Sequence, residues 1–103
     1  MMKLLLLTAV KEFEKDIKYI LKKANVKSYS YKDVKGYKDN QEEVLEANWF
    51  ASDMGENESI LFYVFVEKTN VDAVFDMVTA FNAKQKTTSQ LHLVMLNIEK
   101  SNS

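Results

Sequence analysis

"SILFYVFVE", Ser59 to Glu67, is the stretch on which the fold turns. It has the length of a strand, is rich in β-branched and aromatic residues, and is apolar at nearly every position, so it reads as a central strand with both faces to bury. Downstream, Val71, Val74, Phe75, Val78 and Phe81 recur at helical spacing, with Thr69 or Asn70 placed to cap that helix and Asp72 in its first turn. Upstream, "KLLLLT" from Lys3 to Thr8 is another run of strand length, followed by the helical stripe Phe13, Ile17, Ile20, Leu21 and Ala24. Thr8 suits the cap of this first helix, Lys22 and Lys23 suit its last turn, and Asn25 suits a left-handed exit.

The remaining segments complete the order. "VKSYSYKDVKG", residues 26–36, sets Tyr29 and Tyr31 on one face of a second strand that stops at Gly36. Residues 36–58 are rich in Lys, Asp, Asn and Glu and show no sustained stripe, so they read as a long loop. "LHLVMLNIE", residues 91–99, is a fourth strand, and residues 100–103, "KSNS", read as a frayed tail. The order is βαββαβ. It implies an α+β, ferredoxin-like fold: a four-stranded antiparallel sheet with two helices on one face.

The chain has 103 residues, which suits a single domain over 1–103. A formal net charge of -1, with lysines interspersed among acids, gives no concentrated basic surface for nucleic acid. There is no cysteine, which removes disulfides, thiolate nucleophiles and sulfur-rich metal sites. The opening "MMKLLLLTAVKEFEKD" has a short apolar stretch, no small-residue cleavage site after it, and charges from Lys11 onward. No run approaches the roughly 20 apolar residues of a membrane span. A cytoplasmic protein without direct membrane insertion is expected.

Two helices can cover only one face of such a sheet, so a lone domain should alternate apolar and polar residues along each strand. These strands do not. Leu4 to Leu7, Ile60 to Val66, and Leu91, Leu93, Val94, Met95 and Leu96 send apolar side chains both ways. The expectation is that the second face packs against copies of the same chain, closed by cyclic symmetry. The alternative is a loop folded over it as a lid, anchored by Trp49 and Phe50.

With this order, a long loop after the second strand and an unsatisfied sheet face, the chain resembles the PII-like signalling proteins. "MKLLLLTAVKEFEKDIKYILKKANVKSYSYKDVKGY" is similar to the first strand, helix and second strand of that family, and "NVDAVFDMVTAFNA" to its second helix. The resemblance implies a homotrimer, small-ligand clefts between subunits, and a long loop that touches a partner protein such as a transporter or enzyme. It implies ligand contacts at Gly36, which matches the glycine closing the second strand, and at Lys38, early in the loop. Nucleotide-binding members carry a glycine-rich turn between the second helix and fourth strand. Here that region reads "NAKQKTTSQ", without glycine, and the C-terminal arginine pair is replaced by "EKSNS", so binding of ATP in the usual way is not expected.

Other candidate chemistry is sparse. Lys84 and Lys86 can attract an anion, with Thr87, Thr88 and Ser89 as hydrogen-bond donors, or form a solvated loop. Asp53, Glu56 and Glu58, acids around Gly55, read first as a solvated turn and second as oxygen ligands for a divalent metal, in a site completed across subunits as similarity to the CutA-like metal-tolerance proteins implies. The sole histidine, His92, sits within a strand and reads first as a packed or interface imidazole, second as a metal or ligand contact. No spacing matches a nucleophile elbow, a P-loop or a zinc motif, so no enzyme is expected. No cofactor is expected; a nucleotide, an anion or a divalent metal remains open as ligand. The leading expectation is a trimeric sensor signalling through residues 36–58. The alternatives are a trimeric adaptor that needs no ligand, or a CutA-like metal-tolerance protein.

Overall fold

In the computed structural model the described residues are 1–37 and 56–102, the side chains of Glu56 and Asn57 excepted. The elements are β1 (Met2–Val10), a 3-10 turn (Lys11–Phe13), α1 (Glu14–Lys23), β2 (Ser30–Tyr37), β3 (Glu56–Glu67), α2 (Lys68–Ala83) and β4 (His92–Asn97). The four strands form one antiparallel sheet in the order β2-β3-β1-β4, with both helices on one face. The central pair is therefore β1 and β3. Trp49, Phe50, Lys38 and Asp53 lie outside the described residues.

Register decides which side chains meet the helices. Leu5 pairs with Val64, Leu7 with Phe62 and Ala9 with Ile60, and all six are buried. Ile17, Ile20 and Leu21 of α1 and Val71, Val74 and Val78 of α2 close over them, as i, i+3, i+4 spacing requires. Phe13 and Phe81 meet edge to face at a centroid distance of 5.1 Å, tying the start of one helix to the end of the other. Lys3 is the exception on this face: its ammonium donates to Asn97 Oδ1 at 2.7 Å, so the charge leaves the core at the sheet edge.

The helix ends differ from those expected, for physical reasons. Thr8 caps nothing, because β1 continues through Val10 and Thr8 is held in the ladder between Leu61 and His92. Neither does Thr69 or Asn70 cap α2, which starts directly after β3. Its first amide, Lys68 N–H, donates to the Met1 carbonyl at 2.8 Å. Asn25 does take the left-handed exit, at φ 66°, with its N–H on the Lys22 carbonyl and Val26 N–H on the Leu21 carbonyl. That closure spends Val26 on the end of α1, so β2 starts at Ser30 instead of Val26.

Candidate functional site

The side of the sheet away from the helices presents several exposed apolar side chains, Met2, Tyr63, Phe65, Val94 and Leu96 among them. Its cross-strand rows can be read from the register. Leu96, Leu4 and Phe65 form one row, and Val94, Leu6 and Tyr63, ending at Ser30 of β2, the next. His92, Thr8, Leu61 and Lys32 form a third, more polar row, and Val10, Ser59 and Val34 a fourth. Side chains in a row stand about 4.5–5.5 Å apart at Cβ, so the first two rows make a continuous apolar surface. Phe65 is 56% exposed, Val94 52%, Leu96 40% and Tyr63 37%, whereas Phe62 and Val64 between them on the other face are at 0%. Alternating burial arises here without alternating polarity.

At the first row the surface runs into a recess of about 680 Å³, between Met1, Met2 and Phe65 on one side and residues 98–102 on the other. Glu67, at the edge of this end, accepts from the N-terminal ammonium at 3.1 Å. The apolar rows thus lie between the Glu67–ammonium pair at the Met2 end and the more polar row of Lys32 and His92.

The connector after α2 holds Lys84 and Lys86, both exposed. Asn82 anchors it: its Nδ2 donates to the Leu91 carbonyl at 3.0 Å and its Oδ1 accepts from Leu91 N–H at 2.8 Å. One amide side chain so reproduces a two-bond strand pairing and fixes where β4 begins, while Ser89 N–H donates to Thr87 Oγ1 at 3.2 Å within the connector. Sequence reading missed Asn82. The available signal was an amide at the last turn of a helix, one residue type among several that could have served.

Past the last β1 pair, Val10 with Ser59, β2 and β3 continue as a two-stranded ladder. Gly36 lies inside it opposite Asn57, with Tyr37 opposite Glu56 as the final pair, so β2 passes the glycine expected to end it. On the helix side of β2, Lys35 pairs with Glu58 at 3.3 Å and Lys11 with Asp33 at 2.8 Å. Tyr31 stacks on Phe62 at 4.9 Å, and Lys18 donates to the Tyr31 hydroxyl at 2.9 Å. A hydrogen bond to Glu14, then one to Tyr31, pushes the Lys18 ammonium above the ordinary lysine range; the hydrogen bond to Asp33 does the same for Lys11. These groups are at the surface, where water screens the pairs and their worth to stability is small.

The expected site residues fall in separate places. His92 is on the open face at the outer strand, while Glu58 is held by Lys35 on the helix side of β3. Among the described residues no group of three His, Asp or Glu is placed to hold a metal ion. Gly36 lies in the projecting ladder between β2 and β3, and Lys84 and Lys86 lie in the connector between α2 and β4. Among the described helices none is long and apolar enough to cross a membrane.

No family model matches the chain, and no curated protein matches it in sequence. Solved structures do match. A DUF3240 family protein from Shewanella baltica is similar with a TM-score of 0.69 at 14% identity, over 99% of this chain and 94% of that one. CPII, a nitrogen regulatory PII-like protein from Thiomonas intermedia bound to ADP, AMP and bicarbonate, is similar with a TM-score of 0.61 at 14% identity, over 96% of each chain. At such identity the likeness is one of fold, and this chain has the βαββαβ fold of a PII-like protein along nearly its whole length.

Proposed function

We propose that this protein is a PII-like regulatory homotrimer that binds a small molecule or ion in clefts between subunits and signals to a partner protein through residues 36–58. The observation that carries the reading is the open sheet face. Seven apolar side chains, Leu4, Leu6, Leu61, Tyr63, Phe65, Val94 and Leu96, share it with no carboxylate in their rows. A face of that composition costs little to desolvate, and a second copy brings the same rows to meet it. Copies of one chain arranged about an axis then create clefts at their edges.

In such an assembly the end of the β2–β3 ladder, which runs past the last β1 pair at Val10 and Ser59, bounds residues 38–55, the segment proposed to contact another protein. Gly36 lies in that ladder, and the proposal adds Lys38 as a ligand contact and Trp49 and Phe50 as aromatic anchors for the partner, all three outside the described residues. Lys84 and Lys86, on a connector clamped by Asn82, are the cations nearest to hand for an anionic ligand. The likeness to CPII makes ADP, AMP and bicarbonate the first ligands to test. The glycine-free connector favours an anion held by side chains over a phosphate cradled by backbone amides. Glu58, with Asp53 and Glu56, would contribute to a divalent-metal site only across subunits, with His92 as a candidate nitrogen ligand.

The test is solution mass by light scattering coupled to size exclusion, followed by thermal shift with the three CPII ligands and a panel of divalent metals. A mass of three chains and a ligand-dependent rise in melting temperature are expected. A single-chain mass would remove the clefts and the reading with them.

A further inference from the structure

The two outer strands, β2 and β4, end the sheet in opposite ways. We propose that the free edge of β4 docks a second copy of this chain. The two β4 strands pair antiparallel about a twofold axis, and the sheet continues from one copy into the next. The proposal goes beyond the contact assigned to the open face and stands without it.

An outer strand presents backbone N–H and C=O groups that its neighbour cannot reach, and it recruits another strand unless charge, proline or a cover guards it. β2 is guarded, with Lys32, Asp33 and Lys35 close together along it. β4 is not. "HLVMLN" holds no acid, lysine or proline, and its one ionisable group, His92, is its first residue. The strand pairs with β1 on one side, and among the described residues nothing bonds to the backbone groups on the other. Both of its faces are apolar and uncovered. Val94 and Leu96 are exposed on the open side, and Met95, opposite Leu5 on the helix side, is 44% exposed. Residues 98–102, Glu99 among them, line the recess beside Met2 and Phe65 and leave Val94 to Leu96 uncovered.

The occupant follows from what the edge offers. A strand added here needs apolar side chains on both faces and no charge between them, and β4 itself meets that need. A twofold axis perpendicular to the sheet keeps open side with open side, so the register moves in steps of two residues. The two fullest registers place Val94 or Met95 on the axis. With Val94 there, Leu96 of each copy faces His92 of the other. With Met95 there, Leu96 faces the second copy's Val94, and the apolar rows run on: Phe65, Leu4 and Leu96 continue into Val94, Leu6 and Tyr63 of the second copy. On the helix side the two Met95 side chains, adaptable in shape, fill the seam. The register is therefore the one centred on Met95.

A pair of strands of this length buries less than the about 1,200 Å² of a standard stable interface, so a lone pair separates on dilution. A threefold assembly with its open sides turned inward carries three such edges. A twofold axis perpendicular to those sheets is also perpendicular to the threefold, so the three edges can join another threefold assembly at once.

The test is light scattering of the parent and Met95→Lys across a concentration series, with circular dichroism to establish that each is folded. Met95→Glu stands in should the lysine variant not fold. Either substitution sets like charges opposite each other on the axis and leaves the open side untouched. The concentrated parent should have twice the mass of the variant, and the dilute parent the same mass. Six chains against three supports both contacts; two against one supports the edge contact and overturns the open-face assembly. Cross-linking tests the register. The chain has no cysteine, so Met95→Cys, oxidised in air, should give a two-chain band well before Thr79→Cys, an exposed position on α2. Directly opposed residues of antiparallel strands stand within disulfide reach. Equal masses for parent and variant at every concentration would overturn the proposal, as would equal cross-linking at the two positions.

Discussion

Leu5 and Leu7 are buried at 1% exposure, while Leu4 and Leu6, from the same four-residue run, stand half-exposed on the other side of β1. The two faces of this sheet are close in composition and opposite in fate. On the helix side, Phe62 is sealed by α1, α2 and Tyr31; on the open side, Phe65 has no second layer over it among the described residues. Burial in one chain is decided by where the covering layer falls, not by residue type. An apolar side chain left uncovered is then a statement about what the chain meets next.

The largest expected effect lies on the covered face. Phe62→Ala should cost about 3–5 kcal/mol of folding free energy in urea denaturation, through lost burial and the cavity left under the helices. Phe65→Ala, measured at concentrations where copies separate, should cost well under half of that. Equal losses at the two positions would erase the distinction between the faces.

The next effect is on assembly. Phe65→Glu places a carboxylate in the most apolar row, beside Leu4, and should reduce the solution mass to a single chain while leaving the circular dichroism spectrum in place. An unchanged mass would direct attention away from this end of the face.

A smaller effect tests the frame that both faces share. Asn82→Ala removes the two hydrogen bonds to Leu91 that start β4, and should cost about 1–2 kcal/mol in urea denaturation. Hydrogen exchange at Leu91 and His92 should quicken more than in β1. Uniform quickening would mean that the clamp is a general stabiliser instead of a local one.

The smallest effect is electrostatic and belongs to the helix side. Lys18 has its proton affinity raised in the folded chain by Glu14 and Tyr31, so whatever it contributes to stability is fully present below the ordinary lysine value, about 10.4, and is lost as pH rises through the higher folded value. In Lys18→Met the alkaline decline of the urea midpoint above about pH 10 should be slightly shallower than in the parent, with the two proteins closely matched at neutral pH. A large difference at neutral pH would mean that the exposed network carries more than water screening allows.

Much of this molecule was legible in its sequence. The runs around Phe62 and Leu5 and the helical stripes of Ile17–Leu21 and Val71–Phe81 were enough to order the elements, because alternation and helical periods are local properties of the chain. The left-handed exit at Asn25 was legible for the same reason, since only a few residue types take positive φ at low cost. The caps were not. Thr8 is a good cap in isolation, but its partners Leu61 and His92 arrive from distant sequence and extend the ladder past it. Of the candidate site, residue types were legible and juxtapositions were not: nothing local says that Glu58 and His92 fall on opposite faces, or that Asn82 reaches Leu91.

The sequence by itself determined the βαββαβ order, the antiparallel sheet, and the presence of more apolar strand surface than two helices can cover, since each follows from spacing along the chain. Only the tertiary structure decided which leucines of the first strand are core and which are surface, where the ladders end, and that His92 stands on the open face in a row with Lys32. The reason is register. A shift of one residue in strand pairing exchanges the two faces entirely, and what fixes it is the fit of Leu5, Leu7, Phe62 and Val64 beneath the helices, a contact among residues far apart in sequence.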